Sequence, residues 1–218
     1  MTAELNEGKG LCSASARLLI KPVRAVLELG ALPDVLAATL NCVHHANRTG
    51  DAGDFIAIAL PGMHMGREIM RAGHEIELIG SEASLSRLEA FEGLQILRRR
   101  GMIEALEIGE TWAMAGETGA AYVRDRSGEK YTPGWVRRSA ARAERRGKPL
   151  GRQHHRAHGP DETVLALFYG SAVVHVREVI APQTEAPLQV TTYGFSSPAA
   201  PAILPVLPDS ARVLLDAG

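Results

Sequence analysis

Residues 54–62 read DFIAIALPG, and residues 74–79 read HEIELI. The first run is apolar from Phe55 to Leu60 and is stopped by Pro61-Gly62, which predicts a strand over 54–60. The second alternates charged and apolar residues, which predicts another strand. These two strands lie between two helical patterns. Upstream, Pro33–His45 (PDVLAATLNCVHH) predicts a helix, with Pro33 in its first turn and Asp34 where a negative charge suits the helix dipole. Downstream, Ala83, Leu85, Leu88, Phe91, Leu94 and Leu97 form a rough stripe along a helix over 81–97, with Ser84 as an internal start. Arg17–Val26 (RLLIKPVRAV) and Met102–Ile108 (MIEALEI) supply the first and fourth strands. The order β-α-β-β-α-β is that of a ferredoxin-like (RRM-like) domain, so the expected class is α+β. That domain spans 17–115 and follows an N-terminal extension, 1–16.

After Gly116 the composition changes, and residues 116–218 form a smaller C-terminal α/β domain in this reading. Tyr122–Arg126 predicts a short strand. Thr132 as cap and Pro133 in the first turn predict the start of an Arg-rich helix over 133–147, which Gly147 and Pro149 end. A His-rich connector follows (GRQHHRAHGPDE). Thr163–Phe168, Ala172–Ile180 and Leu188–Tyr193 are β-prone, and the Pro- and Ala-rich tail from Ser196 is expected along the surface.

The 218-residue chain carries a net charge of −1, but the charge is segregated. Residues 121–158 hold eleven Lys or Arg against three acids, a net of +8, so the other 180 residues sum to −9. Such a patch is the electrostatic footprint of a polyanion site, while the acidic remainder opposes indiscriminate binding. Along the predicted helix Arg138, Arg142 and Arg145 fall on one stripe, with Arg146 beside it and Arg137 off it. Guanidinium groups at one-turn spacing match a run of phosphates.

Other classes are disfavoured. No window holds eighteen consecutive apolar residues, so no membrane span is expected. The start, MTAELNEGKG, lacks the pattern of a secretory signal. Cys12 and Cys42 are too few for a disulfide framework or a four-thiolate zinc site, which fits a reducing cytoplasm. Neither GxGxxG nor GxxxxGK[ST] occurs. His154, His155 and His158 cluster near Asp161 and Glu162, and His64 and Glu68 stand four apart, as ligands on a helix do. The break at Gly151 and the basic surroundings argue for solvated or RNA-facing histidines, and no metal or other cofactor is expected.

Three features in this order resemble one family. A histidine near the end of the first helix precedes a strand closed by Pro61, PGWVRRSAARAERR (133–146) forms the Arg-rich helix, and TTYGFS (191–196) lies near the C-terminus. The arrangement resembles the CRISPR-associated endoribonuclease of type I-F systems, over roughly residues 17–205. The resemblance implies an N-terminal ferredoxin-like domain, a smaller C-terminal domain, and metal-free cleavage just 3′ of the repeat hairpin in precursor CRISPR RNA. It also implies that the product stays bound, with the protein as a subunit of an RNA-guided complex. The family histidine matches His45 by its spacing to Pro61, with His44 one register away. The family tyrosine matches Tyr193. Tyr169 aligns with the family serine, and Ser171 stands two residues on. The family's base-stacking Phe falls at Val174 or at His175-Val176. Of the Arg and Gln that read a base ahead of the Arg helix, Arg126 matches and Gly128 stands in place of Gln.

In chemical terms RNA brings its own nucleophile, the 2′-OH. His45 is the expected general base, since an imidazole titrates near neutrality. Tyr193 orients the base or the 2′-OH, and Ser171 or Tyr169 holds the nucleotide. Arg124, Arg126, Arg137, Arg138, Arg142, Arg145 and Arg146 are the expected RNA-binding residues. The departures at the serine and Phe positions leave a second expectation open, an RNA-hairpin-binding subunit that no longer cuts.

Overall fold

The computed structural model describes residues 6, 8–104, 106–111, 116–125, 133–147, 164–169 and 172–206. They form a mixed α+β structure with antiparallel sheets. Strand β1 (Lys9–Cys12) precedes β2 (Ala16–Ile20), which buries Leu18 and Ile20 at the centre of the larger sheet. The strand predicted to reach Val26 stops at Ile20. Pro22 has no N–H for a ladder, and the chain turns into a short helix, α1 (Arg24–Glu28).

Helix α2 (Leu32–Thr49) starts where Pro33 and Asp34 predict, but runs four residues beyond His45 to a cap at Gly50. It buries Val35, Leu36, Leu40, Val43 and Asn47. Strand β3 (Ala57–Ala59) is the buried middle of DFIAIAL. A two-residue hairpin, β4 (His64–Met65) and β5 (Met70–Arg71), leads to β6 (Ile76–Gly80). All of β6 is buried, including Glu77, which pairs with Arg17 at 3.6 Å.

The helix predicted over 81–97 is two helices, α3 (Glu82–Glu89) and α4 (Glu92–Arg99). Ser81 and Ser84 form a reciprocal capping box, so Ser84 is the third residue of α3 rather than an internal start. The break falls at Phe91, whose backbone is extended, and the Gln95 amide donates to the Glu89 carbonyl freed there (2.8 Å). Strand β7 (Glu107–Glu110) completes a four-stranded antiparallel sheet in the order β3-β6-β2-β7, with Leu18 opposite Leu78 and Ile108.

The second half builds a three-stranded antiparallel sheet. Strand β8 (Thr118–Asp125) is followed by α5 (Pro133–Arg145), and β9 (Leu165–Tyr169) and β10 (Ala172–Pro182) complete the order β8-β10-β9. Gly147, at φ +58°, follows the last turn of α5 as predicted. Strand β11 (Leu188–Thr191) pairs with β1, Gly10 opposite Val190. The segment read as an N-terminal extension is therefore stitched to residues 180 positions away.

Over residues 196–206 the segment expected along the surface is partly buried instead. Phe195, Ala202, Ile203, Leu204 and Val206 are buried, and Ser196 and Leu204 hydrogen-bond to Tyr122 and Ala120 along the free edge of β8. An open edge is a liability, and an apolar segment with backbone N–H groups to spare closes it. One cluster of buried side chains joins Leu18, Ile58, Leu78 and Leu88 to Leu167, Val176, Val190 and Phe195, so both halves of the chain share a core. Helix α5 stands apart from it: none of its described side chains is buried. Among the described residues no helix is long and apolar enough to cross a membrane.

Candidate active site

Helix α2, strand β9 and the turn after β11 bring three rings together. His44 stacks on Tyr193, with centroids 4.2 Å apart and planes 14° from parallel. Tyr169, the last residue of β9, meets both edge-on, at 5.4 Å from His44 and 5.3 Å from Tyr193. Arg124, near the end of β8, places its guanidinium carbon 5.0 Å from the centre of the Tyr193 ring, a cation–π contact.

The local sequence explains why these groups meet. Asn47 lies one turn beyond His44 on the buried side of α2 and is 1% exposed. Its amide donates to the Ile56 carbonyl (2.9 Å) and the Thr192 carbonyl (3.3 Å), and its Oδ1 accepts from the Ile56 N–H (2.8 Å). One side chain thus ties α2 to the entry of β3 and to the residue before Tyr193. From the other side the Thr192 N–H donates to the Gly8 carbonyl (3.1 Å). The TTYG turn needs its glycine. Gly194 sits at φ +79°, and a Cβ there would lie 2.8 Å from Ile58 Cγ1. Replacing Asn47 with alanine leaves the Ile56 N–H and C=O unsatisfied in a dry site and should cost on the order of 3 kcal/mol in urea unfolding. Asn47→Asp should recover only part of that, because a carboxylate accepts from Ile56 but donates to neither carbonyl.

The electrostatics favour a neutral imidazole beside cations. Burial pushes the His44 pKa below its ordinary 6.5; the Thr192 backbone pulls it back up, and Arg48, His45 and Arg124 push it further down. Its Nδ1 is buried and has no hydrogen-bond partner of ordinary geometry among the described residues. Burial, together with Tyr193, raises the Tyr169 pKa above its ordinary 10.0, while Arg48 lowers it. The Tyr169 hydroxyl is therefore a proton-bearing donor at neutral pH. A neutral base, phenol donors and guanidinium groups suit proton abstraction next to a phosphodiester.

The histidine at this place is His44, not His45. Neighbouring residues on a helix point about 100° apart, so only one of the pair faces Tyr193. His45 is exposed and its ring packs edge-on against Phe91 at 5.4 Å. Tyr169, Tyr193 and Arg124 are brought together. Ser171 and Arg126 lie outside the described residues, as do Gly128, His154, His155, His158, Asp161 and Glu162. Val174 and Val176 point into the core, and half-buried His175 faces the other way. Arg137, Arg138, Arg142 and Arg145 are exposed on α5, and Arg146 is exposed just after it. His64 is in strand β4 with its Nδ1 2.8 Å from the Gly62 carbonyl, so it does not share a helix face with Glu68. Among the described residues no group of three His, Cys, Asp or Glu stands close enough to hold a metal ion. Sequence reading passed over Asn47 and Arg48. Arg48 was within its reach, being four residues on from His44 on the same helix.

No protein-family model matches the chain, and no curated protein matches it in sequence.

Proposed function

We propose that the protein is a metal-independent endoribonuclease that grips the repeat hairpin of precursor CRISPR RNA and cuts at the hairpin's 3′ base. The stacked and edge-on packing of His44, Tyr193 and Tyr169 beside Arg124 is the observation that carries this reading. His44, neutral at physiological pH, takes the proton of the 2′-OH. The 2′ oxygen bonds to the adjacent phosphorus, the bond to the 5′ oxygen breaks, and water protonates that oxygen. The products are a 2′,3′-cyclic phosphate and a 5′-hydroxyl. Tyr193 holds the imidazole flat, Tyr169 donates a hydrogen bond to the reacting nucleotide, and Arg124 offsets charge on the phosphate.

The resemblance to type I-F endoribonucleases supplies the substrate and the role in the cytoplasm as the hairpin-end subunit of an RNA-guided complex. The sheet order β3-β6-β2-β7, with helices at both crossovers, supports a ferredoxin-like arrangement in which the β4–β5 hairpin is an insertion. The exposed arginines of α5 support a phosphate-binding helix. The Arg138→Ala, Arg142→Ala double variant should bind the hairpin more weakly, and its plot of log affinity against log salt should flatten by about one to two. Equal affinity and equal slope at moderate salt would mean that α5 does not face RNA.

The test of the activity is cleavage of a repeat-hairpin RNA in excess EDTA, followed over pH. Cleavage should survive EDTA. The free-enzyme profile of kcat/KM should rise with pH through a midpoint below 6.5, because the base works only when deprotonated and burial lowers its pKa. A rate that EDTA abolishes, or that falls as pH rises through that range, sinks the mechanism. The buried valines at 174 and 176, where the family carries its stacking aromatic, favour a second reading: a hairpin-binding subunit without cleavage. Tight binding with no cut at any pH is its signature.

A further inference from the structure

Arg48 follows His44 by four residues on α2, and residues so spaced share a helix face with Cβ atoms about 5–6 Å apart. Its backbone is held: the Arg48 carbonyl accepts from the Asn6 N–H (2.9 Å), and Asn47 beside it is locked in the core. The side chain is half-buried, yet it makes no ion pair or side-chain hydrogen bond among the described residues. By contrast Arg17, Arg24, Arg87 and Arg98 of the same half each meet a carboxylate. A guanidinium is costly to shield from water without an anion, so a half-buried one beside a reactive cluster is poised to receive one. Its charge acts on two members of the cluster, adding to the burial that lowers the His44 pKa and partly offsetting the burial that raises the Tyr169 pKa.

We propose that Arg48 is a further substrate-binding residue of this site, whose guanidinium takes a nonbridging oxygen of the scissile phosphate alongside Arg124. This rests on the endoribonuclease reading and adds to it a cation that neither the Arg-rich helix nor the segment before it provides. Two guanidinium groups neutralise the charge that builds on phosphorus as the 2′ oxygen attacks, where a metal ion would otherwise be needed. The competing explanation is that Arg48 merely complements the dipole at the end of α2, a role that any cation fills.

The experiment is single-turnover cleavage in EDTA by wild type, Arg48→Ala and Arg48→Lys. The substrates are a hairpin RNA and its two phosphorothioate diastereomers at the scissile linkage, and affinity is measured in parallel. Arg48→Ala should cut about 100-fold more slowly with affinity changed only a few-fold, and should lose the wild-type preference between diastereomers. Arg48→Lys keeps the helix-end charge, guarding against a misfolded alanine variant, and should still cut at least tenfold more slowly because it lacks the fork. If wild type cuts and Arg48→Lys cuts as fast, or if both variants keep the full diastereomer preference, the assignment of Arg48 fails while the nuclease reading stands. If wild type makes no cut, the nuclease reading fails and takes the assignment with it.

Discussion

Replacing His44 with alanine should slow cleavage by about a thousandfold and leave hairpin affinity within a few-fold of wild type, whereas His45→Ala should cut at nearly the wild-type rate. The contrast follows from one helical step. His44 lies flat on Tyr193 at 4.2 Å, while the His45 ring is turned toward Phe91. A general base must reach the proton it removes, and α2 turns only one of the two imidazoles toward the tyrosines and Arg124. Affinity should survive because the proposed function gives most of the phosphate contacts to the exposed arginines of α5, not to the imidazole. Single-turnover rates and filter binding on both variants decide the matter. Loss of cutting in His45→Ala with normal cutting in His44→Ala would reverse the assignment and leave the aromatic cluster without a catalytic role.

A hairpin substrate with one 2′-deoxy nucleotide immediately 5′ of the scissile phosphate should be bound normally and not cut at all. In the proposed reaction the nucleophile belongs to the RNA, so removing one oxygen removes the reaction. The alternative nucleophile in this cluster is a phenol. Tyr169 or Tyr193 would attack phosphorus directly and leave a phosphotyrosine, a route that is indifferent to the 2′ position. The raised pKa of Tyr169 works against it, since less phenolate is present at neutral pH. Denaturing gels separate the two chemistries. A cut in the deoxy substrate, with RNA covalently attached to protein, would replace the imidazole mechanism with a tyrosine one.

Much of the local structure was legible from residues close together in the chain. Pro33 and Asp34 marked the start of α2, Pro61-Gly62 marked the end of the buried β3 segment, and Gly147 marked the stop of α5. The choice between His44 and His45 was not legible. Spacing to Pro61 counts residues, and a count carries no information about which way a helix is turned against its sheet. Nothing near Asn47 in the chain marks it; its role appears only when Ile56, nine positions on, and Thr192, 145 positions away, arrive at its side chain. The Pro-rich tail read as surface because prolines weaken a strand signal, and nothing nearby says that β8 offers it a free edge.

The amino-acid sequence on its own determined the α+β class, the segregation of +8 charge into residues 121–158, and an arginine-rich helix that starts at Pro133. Each follows from composition or from a period of a few residues. The tertiary structure alone decided which histidine meets Tyr193, and that residues 9–12 close against 188–191. Those facts depend on how elements far apart in the chain are rotated and packed, and packing is settled by the shared core rather than by any neighbour in sequence.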